Sequence, residues 1–333
     1  MLKILILRYY NNMSSLEDKI KSSRKIKENS LKIYMTTLKK IYRTIHDDTN
    51  YDSKLFNSTN FLQNKHYKKI IEFLSTLRLP TRKNYLSAIL VALTTNKEKN
   101  EKIIDEYRNH LDVIVTEYTG EINSQKKSQK LETNWTSFDA IKRIVNRLKR
   151  DVKENNLLNK SPWSNKDLEL YKLYMVGSLY TLIPPVRNDY AQMKVLPFKT
   201  YNKLDESNLK DNNYLVIVSK SKKFFSFGAY KTSEVYGVKI SQIPPSLNKI
   251  INIWLTHQTT DYFLNNSKNE PITDNGLTKL INKVFSPTGK KIGSTMLRHI
   301  YLSDKYEPLN AEKAADAEAM MHSVSTQNDY IKK

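Results

Sequence analysis

Apolar side chains in the first third of the chain recur every three or four residues, the spacing of one face of an α-helix. The clearest stripe follows Ser30, which is placed to cap it. Its members are Leu31, Tyr34, Met35, Leu38, Ile41, Tyr42 and Ile45. The same pattern predicts a second helix over 64–77, a third that opens at Pro80 and a fourth around 103–115. We therefore predict a bundle of amphipathic helices with lysine-rich outer faces over residues 15–118.

The helical pattern stops between the two halves of the chain. From Thr119 to Asn134 the sequence is polar and contains no aromatic residue, which is typical of an interdomain linker. We predict a linker over residues 119–135, followed by a second domain over 136–333. Residues 1–14 precede the first domain as an N-terminal extension.

The second domain mixes helical and strand patterns. Helical periodicity returns after Ser137 and again over 166–182. Three segments then have the composition of β-strands: 214–218, 224–227 and 235–240. Further helices are predicted at 247–255, 276–285, 294–303 and 311–321. The predicted fold is mainly α, of the α+β class: a helical bundle, then a mostly helical domain with a small antiparallel sheet.

Charge narrows the class of partner. The 333 residues include 55 Lys and Arg against 34 Asp and Glu, a formal charge of +21. Such a surplus favours a polyanion, because each phosphate that a protein neutralises releases counterions. A chain rich in Lys, Asn and Ile is also what an AT-rich genome produces, so charge alone does not fix the partner. The absence of cysteine excludes disulfides, thiolate zinc sites and a cysteine nucleophile.

The first residues of the chain are apolar for only a short stretch. Residues 2–7 are too few to cross a membrane, and no small-residue cleavage site follows them. We therefore expect neither a membrane partner nor secretion. Met13 is an alternative start to Met1.

Five residues, in chain order, have the chemistry of a phosphate site: Arg187, Lys231, Arg298, His322 and Tyr330. Phosphodiester transfer without a metal needs donors to the phosphate oxygens, an aligned nucleophile and an acid for the leaving oxygen. Arginine suits the first role because its planar guanidinium donates two hydrogen bonds and stays charged. An ammonium can protonate a leaving oxygen, and a phenol can attack. Each residue type is common, so the order and the local sequences carry the hypothesis.

This set resembles that of the tyrosine recombinases, the lambda-integrase-like family that cuts and rejoins DNA through a phosphotyrosine bond. The similar segments are Pro185-Val186-Arg187-Asn188-Asp189, Tyr230-Lys231-Thr232, Thr295-Met296-Leu297-Arg298-His299 and Met320-Met321-His322-Ser323, followed by Tyr330. In the family an acid follows the first arginine, the lysine lies on a hairpin of a small sheet, and the second arginine belongs to a His-x-x-Arg motif. Residues 15–118 are similar to the family's core-binding domain.

Several positions depart from the family pattern. Thr295 stands where the family has a histidine, and a hydroxyl does not take the nucleophile's proton as an imidazole can. Methionine replaces the usual glycine before His322, and Tyr330 follows that histidine by eight residues. Three other lysines are alternatives to Lys231 as the acid: Lys220, Lys222 and Lys223. We expect His299 to pack within the domain rather than to act on substrate.

The resemblance implies a site-specific recombinase or integrase for a viral or mobile element. Tyr330 would attack one strand and form a 3′-phosphotyrosine, while Lys231 protonates the departing 5′-hydroxyl. The ester conserves the bond energy, so no metal, ATP or other cofactor is expected. The expected partners are double-stranded DNA, held mostly by its phosphates, and further copies of the chain in a homo-tetramer. The expected location is intracellular, with the target DNA: a host nucleus, a cytoplasmic viral factory or a bacterial cytoplasm.

Alternative functions stay open. A type IB topoisomerase uses nearly the same residue types and tolerates a residue other than histidine at the position of Thr295, but it acts as a monomer. A non-catalytic DNA-binding descendant of the family would keep phosphate binding without cleavage, and Thr295 is the one feature that favours it. A metal-dependent nuclease is disfavoured, because no cluster of carboxylates and histidines stands out beside the basic residues.

Overall fold

The chain divides into two compact units, residues 1–126 and 127–333. The computed structural model describes residues 15–46, 55–321, 323–324 and 326–327. The division between the units falls inside the segment 119–135, for which the sequence predicts a linker. The N-terminal extension predicted at 1–14 lies outside the described residues.

The first unit is helical where it is described. Its helices are α1 Leu16–Ser23, α2 Glu28–His46, α3 Asn64–Ser75, α4 Leu79–Leu93 and α5 Lys97–Asn123, with 3₁₀ turns at Leu55–Asn57, Asn60–Leu62 and Thr94–Asn96. Helix α4 packs against α2 and α5. Tyrosines of the apolar stripes lie in this core, as their spacing predicts: Tyr107 is fully buried, and its hydroxyl donates to the carbonyl of Leu62 at 3.2 Å.

Two details of the first half differ from the sequence prediction. Helix α2 begins before Ser30, which therefore lies inside its first turn and does not cap it. Helix α5 continues to Asn123, and a short helix α6 spans Gln129–Thr133, so much of the segment 119–135 is helical. The segment has no apolar period, but its Glu, Gln and Lys residues are good helix formers and need no buried face to favour a helix.

The second unit surrounds one central helix. Its further elements are α7 Phe138–Glu154, α8 Asn165–Leu179, β1 Lys194–Pro197, α9 Phe198–Tyr201, α10 Glu206–Asp211, β2 Asn213–Ile217, β3 Lys223–Phe227, α11 Ser233–Tyr236, β4 Lys239–Gln242, α12 Pro245–Thr256, α13 Asp274–Val284 and α14 Ser294–Ala319. Helices α7, α12 and α13 pack around α8, which is buried along most of its length. Within the described ranges, no helix is long and apolar enough to cross a membrane.

The sheet of the second unit is mixed and has the strand order β1–β2–β3–β4. Strand β1 runs parallel to β2, and the other two pairs are antiparallel. The predicted purely antiparallel sheet is therefore wrong in one strand. Strand β1 was not predicted, because four residues that end in Pro197 show neither alternation nor a long apolar run. The described chain is mostly helical with a small four-stranded sheet, as the predicted fold class states in outline.

Two predicted elements are organised differently. The strand predicted at 235–240 begins only at Lys239, because Gly237 adopts φ +64° and ends the short helix α11 before it. The helices predicted at 294–303 and 311–321 are one continuous helix, α14, with Pro308 inside it. Good helix formers, including five alanines, follow Pro308 and favour continuation of the helix despite the lost backbone donor.

Candidate functional site

Arg187 lies in the segment that leaves the central helix α8. The hydroxyl of Tyr180 donates to the carbonyl of Arg187 at 2.9 Å. The backbone N–H of Arg187 donates to Oδ2 of Asp189 at 3.1 Å. Both the carbonyl and the N–H of Arg187 are therefore hydrogen-bonded, which fixes the backbone from which its half-buried side chain extends.

The side chain of Asn188 joins this segment to two other helices. Its Nδ2 donates to the carbonyl of Asp274 at 3.0 Å and to Oγ1 of Thr278 at 2.8 Å, both on α13. Its Oδ1 accepts from the hydroxyl of Ser294 at 2.8 Å. Ser294 is the first residue of α14, and Arg298 follows about one turn later. One amide therefore fixes the segment of the first arginine to the helix that carries the second.

Arg187 and Arg298 are close enough for their charges to interact. Burial lowers the pKa of Arg298, the charge of Arg187 lowers it further, and the charge of Asp189 opposes both effects. Both side chains are half-buried. Among the residues that the structure describes, no hydrogen bond or ion pair holds either guanidinium. Partly desolvated cations without partners are costly unless an anion binds them, so this arginine pair is a candidate anion site.

The carboxylate of Asp189 is close enough to both arginines for their charges to interact. Burial raises the pKa of Asp189, and the charge of Asp274 raises it too. The backbone N–H of Arg187 and the charges of both arginines act in the opposite direction. Asp189 and Asp274 thus lie near the arginine pair without forming an ion pair with it among the described residues.

A second amide, that of Asn213, joins Asp189 to the turn that follows strand β3. Its Nδ2 donates to the carbonyls of Asp189 at 2.9 Å and Ala229 at 3.1 Å. Its Oδ1 accepts from the N–H groups of Gly228 at 3.0 Å and Ala229 at 2.9 Å. Asn213 is 6% exposed, and all four hydrogen-bonding positions of its amide are used.

Gly228 allows the close approach that this turn requires. A Cβ atom at this position would lie 1.8 Å from the carbonyl oxygen of Leu209 in helix α10. No larger residue fits without moving the backbone. The sequence therefore needs glycine here to bring the turn against α10 and within reach of Asn213.

Lys231 lies three residues beyond Gly228, in the connection between the antiparallel strands β3 and β4. Its side chain is exposed. The hydroxyl of the neighbouring Tyr230 donates to the carbonyl of Gly237 at 2.7 Å and so links two parts of this connection. Lys231 thus occupies a hairpin of the small sheet, on a turn that Asn213 ties to Asp189.

The three alternative lysines lie on the other hairpin, between β2 and β3. Lys223 is 2% exposed, and its Nζ donates to Oδ1 of Asn248 at 3.0 Å and to Oδ1 of Asn252. Burial lowers the pKa of Lys223. Its ammonium is therefore engaged inside the unit, whereas Lys220 and Lys222 are exposed on the turn.

Thr295 and His299 lie on the first two turns of α14, beside Arg298. Both side chains are exposed. The expectation that His299 packs within the domain is therefore wrong. Its position one turn after Thr295 places both on the solvent side of the helix, because residues four apart share a face.

His322 and Tyr330 lie outside the described residues. The described chain reaches the position just before His322, where Met321 follows the end of α14 with φ +59° and is 94% exposed. This left-handed conformation is the one that favours glycine at a helix end. Met321 therefore holds a backbone conformation that glycine adopts more readily than methionine does.

Sequence reasoning missed the residues that assemble the site. Asn188, Asn213 and Ser294 act through contacts with segments far away in sequence, which no local pattern reveals. Gly228 had a usable signal, since glycine at a strand end often marks a close backbone approach. Within the described ranges, no three His, Asp or Glu residues are grouped so as to hold a metal ion.

The comparisons with known proteins return no relative. No protein-family model, curated protein or solved structure matches the chain. The functional interpretation therefore depends on the residues and on their arrangement.

We predict that Asn213→Ala lowers the free energy of unfolding of the second unit by about 1–3 kcal/mol, because buried groups of Asp189, Gly228 and Ala229 lose their partner. Urea unfolding followed by tryptophan fluorescence measures this, since Trp135, Trp163 and Trp254 all lie in that unit. The matched control is Asn275→Ala, an exposed asparagine on α13. An effect no larger than that of the control would contradict the structural role.

We predict that Asp189→Asn changes how stability depends on pH. The pKa of Asp189 is raised by folding, so its protonation stabilises the fold below about pH 3.9, and this contribution is lost as pH rises through the raised pKa. Asparagine does not titrate. The difference in unfolding free energy between variant and parent should therefore shift in favour of the variant as the pH rises above about 4. A difference in unfolding free energy between variant and parent that does not change with pH would refute the assignment of a raised pKa to Asp189. The same pH dependence in the exposed Asp304→Asn would also refute it.

Proposed function

We propose that the chain is a DNA strand-exchange enzyme of the tyrosine recombinase type and that its second unit carries the catalysis. The observation that carries the proposal is the arginine pair: two half-buried guanidiniums, close enough for their charges to interact, with no partner among the described residues. A phosphodiester satisfies both, because each guanidinium can donate two parallel hydrogen bonds to phosphate oxygens.

The proposed reaction is a transesterification. The phenolic oxygen of Tyr330 forms a bond to phosphorus as the bond to the 5′-oxygen breaks, and the arginine pair stabilises the charge on the phosphate oxygens. Lys231 gives a proton to the departing 5′-oxygen, and the phenol proton passes to water or to a nearby base. The 5′-hydroxyl of a partner strand then attacks the 3′-phosphotyrosine and reverses the step.

The assignment of Lys231 as the acid is supported by its turn. That turn is bonded through Asn213 to Asp189, which interacts with both arginines. Lys220 and Lys222 stay alternatives, since both are exposed on the neighbouring hairpin. Lys223 is a weaker candidate because Asn248 and Asn252 hold its ammonium.

The proposed partner is double-stranded DNA. A formal charge of +21 supports affinity for a polyanion, and strand exchange between two duplexes needs several active copies, here a homo-tetramer. The natural role would be integration or excision of a viral or mobile element, in the compartment that holds its target DNA.

We predict that the parent protein forms a covalent adduct with nicked duplexes in EDTA and that Tyr330→Phe does not, because the variant lacks the attacking oxygen. A library of nicked duplexes with randomised sequence avoids the need to know the target site. The nick releases the short 5′-hydroxyl strand, so the reverse reaction fails and the adduct accumulates. Denaturing gels detect the adduct, and peptide mapping locates the linked residue. Tyr306→Phe, which removes an exposed hydroxyl on α14, is the matched control and should react normally.

Other outcomes select the alternatives. An adduct on Tyr330 with relaxation of supercoiled DNA by a monomer, and no joining of two duplexes, would identify a type IB topoisomerase. Salt-sensitive binding by the parent without any adduct would contradict the proposal and favour a non-catalytic descendant, for which Thr295 is the supporting feature. Equal adduct formation by Tyr330→Phe would exclude the tyrosine mechanism.

A further inference from the structure

One face of helix α7 is strongly basic. The opposite side of the helix faces the core through Phe138, Ile141, Val145 and Val152. The helix carries six exposed cations, of which Lys142 pairs with Asp139 at 3.3 Å. The other five are here called the α7 basic face: Arg143, Arg147, Lys149, Arg150 and Lys153. Four of them line a shallow surface groove of about 490 Å³ together with Asn146.

The cations of the α7 basic face are not neutralised within the described chain. Asp151 and Glu154 follow Arg147 and Arg150 by one helical turn, the spacing at which ion pairs form on helices, yet no ion pair joins them in the described residues. The same spacing does produce the pair Lys21–Glu17, at 3.1 Å.

The spacing of the α7 basic face also places like charges together. Arg143 and Arg147 are four residues apart, and so are Lys149 and Lys153. Like charges at this spacing destabilise a helix. A bound anion would therefore reduce the repulsion between the cations of this face.

The groove has the composition of a phosphate contact. Its lining residues supply only hydrogen-bond donors, plus the amide of Asn146, and no apolar side chain. A protein partner would normally require apolar or aromatic residues at the centre of the interface. From Arg143 to Lys153 the helix rises about 15 Å, which equals the rise of about four phosphates of one strand along the duplex axis.

We propose that the α7 basic face is a second DNA contact of this unit, which binds the phosphate backbone of one strand without reading its sequence. The choice of DNA as the polyanion rests on the proposed function. The contact differs in its role from the arginine pair: it contributes affinity and salt dependence, and it takes no part in the transfer step.

The test removes three charges from the face, in the variant Arg143→Gln/Arg150→Gln/Lys153→Gln. The control, Lys203→Gln/Lys249→Gln/Lys268→Gln, removes three exposed charges elsewhere in the same unit. Both are made in the full chain with Tyr330→Phe, so that cleavage does not obscure binding. Fluorescence anisotropy then gives the affinity for a duplex between about 50 and 200 mM salt. Thermal unfolding checks the fold, and the face variant should be at least as stable as its parent.

We expect the slope of log affinity against log salt to become shallower by about 2–3 in the face variant, since each lost phosphate contact removes about 0.9, with an affinity at least tenfold lower at the lowest salt. The control should lose less than one unit of slope. Equal slopes and affinities for the two variants would overturn the inference. So would a face variant that binds duplex as the control does but loses affinity for polyglutamate, which would point to an acidic protein.

The proposed function and this inference fail separately. A parent chain that forms the Tyr330 adduct while the face variant keeps its salt slope overturns only the inference about α7. A face variant with a reduced slope, in a protein that forms no adduct, supports the contact and overturns the catalysis. A parent that binds no duplex overturns both.

Discussion

Uncharged amide groups hold the candidate phosphate site together. Two guanidiniums whose charges interact repel each other, so something other than their own charges must hold their segments together. Asn188 ties the segment of Arg187 to the helix of Arg298, and Asn213 ties Asp189 to the turn before Lys231. Carboxylates in these two places would not hold the segments, because they cannot donate to the carbonyls that both amides bind, and they would add negative charge near the arginines. Because the two amides are neutral, they connect these segments without adding negative charge to the site.

The packing around the amides makes this arrangement stiff. Tyr180 follows directly after the buried helix α8, and its hydroxyl donates to the carbonyl of Arg187. Gly228 allows its turn to lie against α10, where no side chain would fit. Asp189 reduces the repulsion between the arginines, yet its Oδ2 accepts from a backbone N–H and forms no ion pair with them among the described residues. The arginine pair and the α7 basic face are thus two places in the second unit where cations have no ion-pair partner among the described residues. Both places suit a polyanion.

The sequence predicts the parts of this structure that depend on local pattern. Helices such as α2 and α7 bury one face, so their apolar spacing reveals them, and strand β3 is a short aromatic run. The sequence also picks out Arg187 and Arg298 by their neighbours. The local pattern does not show what brings the two arginines near each other, because that depends on hydrogen bonds from Asn188 to residues far along the chain. The sequence also misplaces an element where the conformation of one residue sets the boundary, since the positive φ of Gly237 delays the start of β4.

A double-mutant cycle between the two arginines tests most directly whether they grip one phosphate. Single-turnover cleavage of a nicked duplex would be measured for the parent, Arg187→Ala, Arg298→Ala and the double variant. Each single change should slow the chemical step by a factor on the order of 10²–10³, as the loss of one transition-state donor does. Because the two donors act on one group, the double variant should lose less than the product of the two factors, a coupling of about 0.5–3 kcal/mol. Effects that multiply independently, or single variants with unchanged rates, would contradict a shared phosphate.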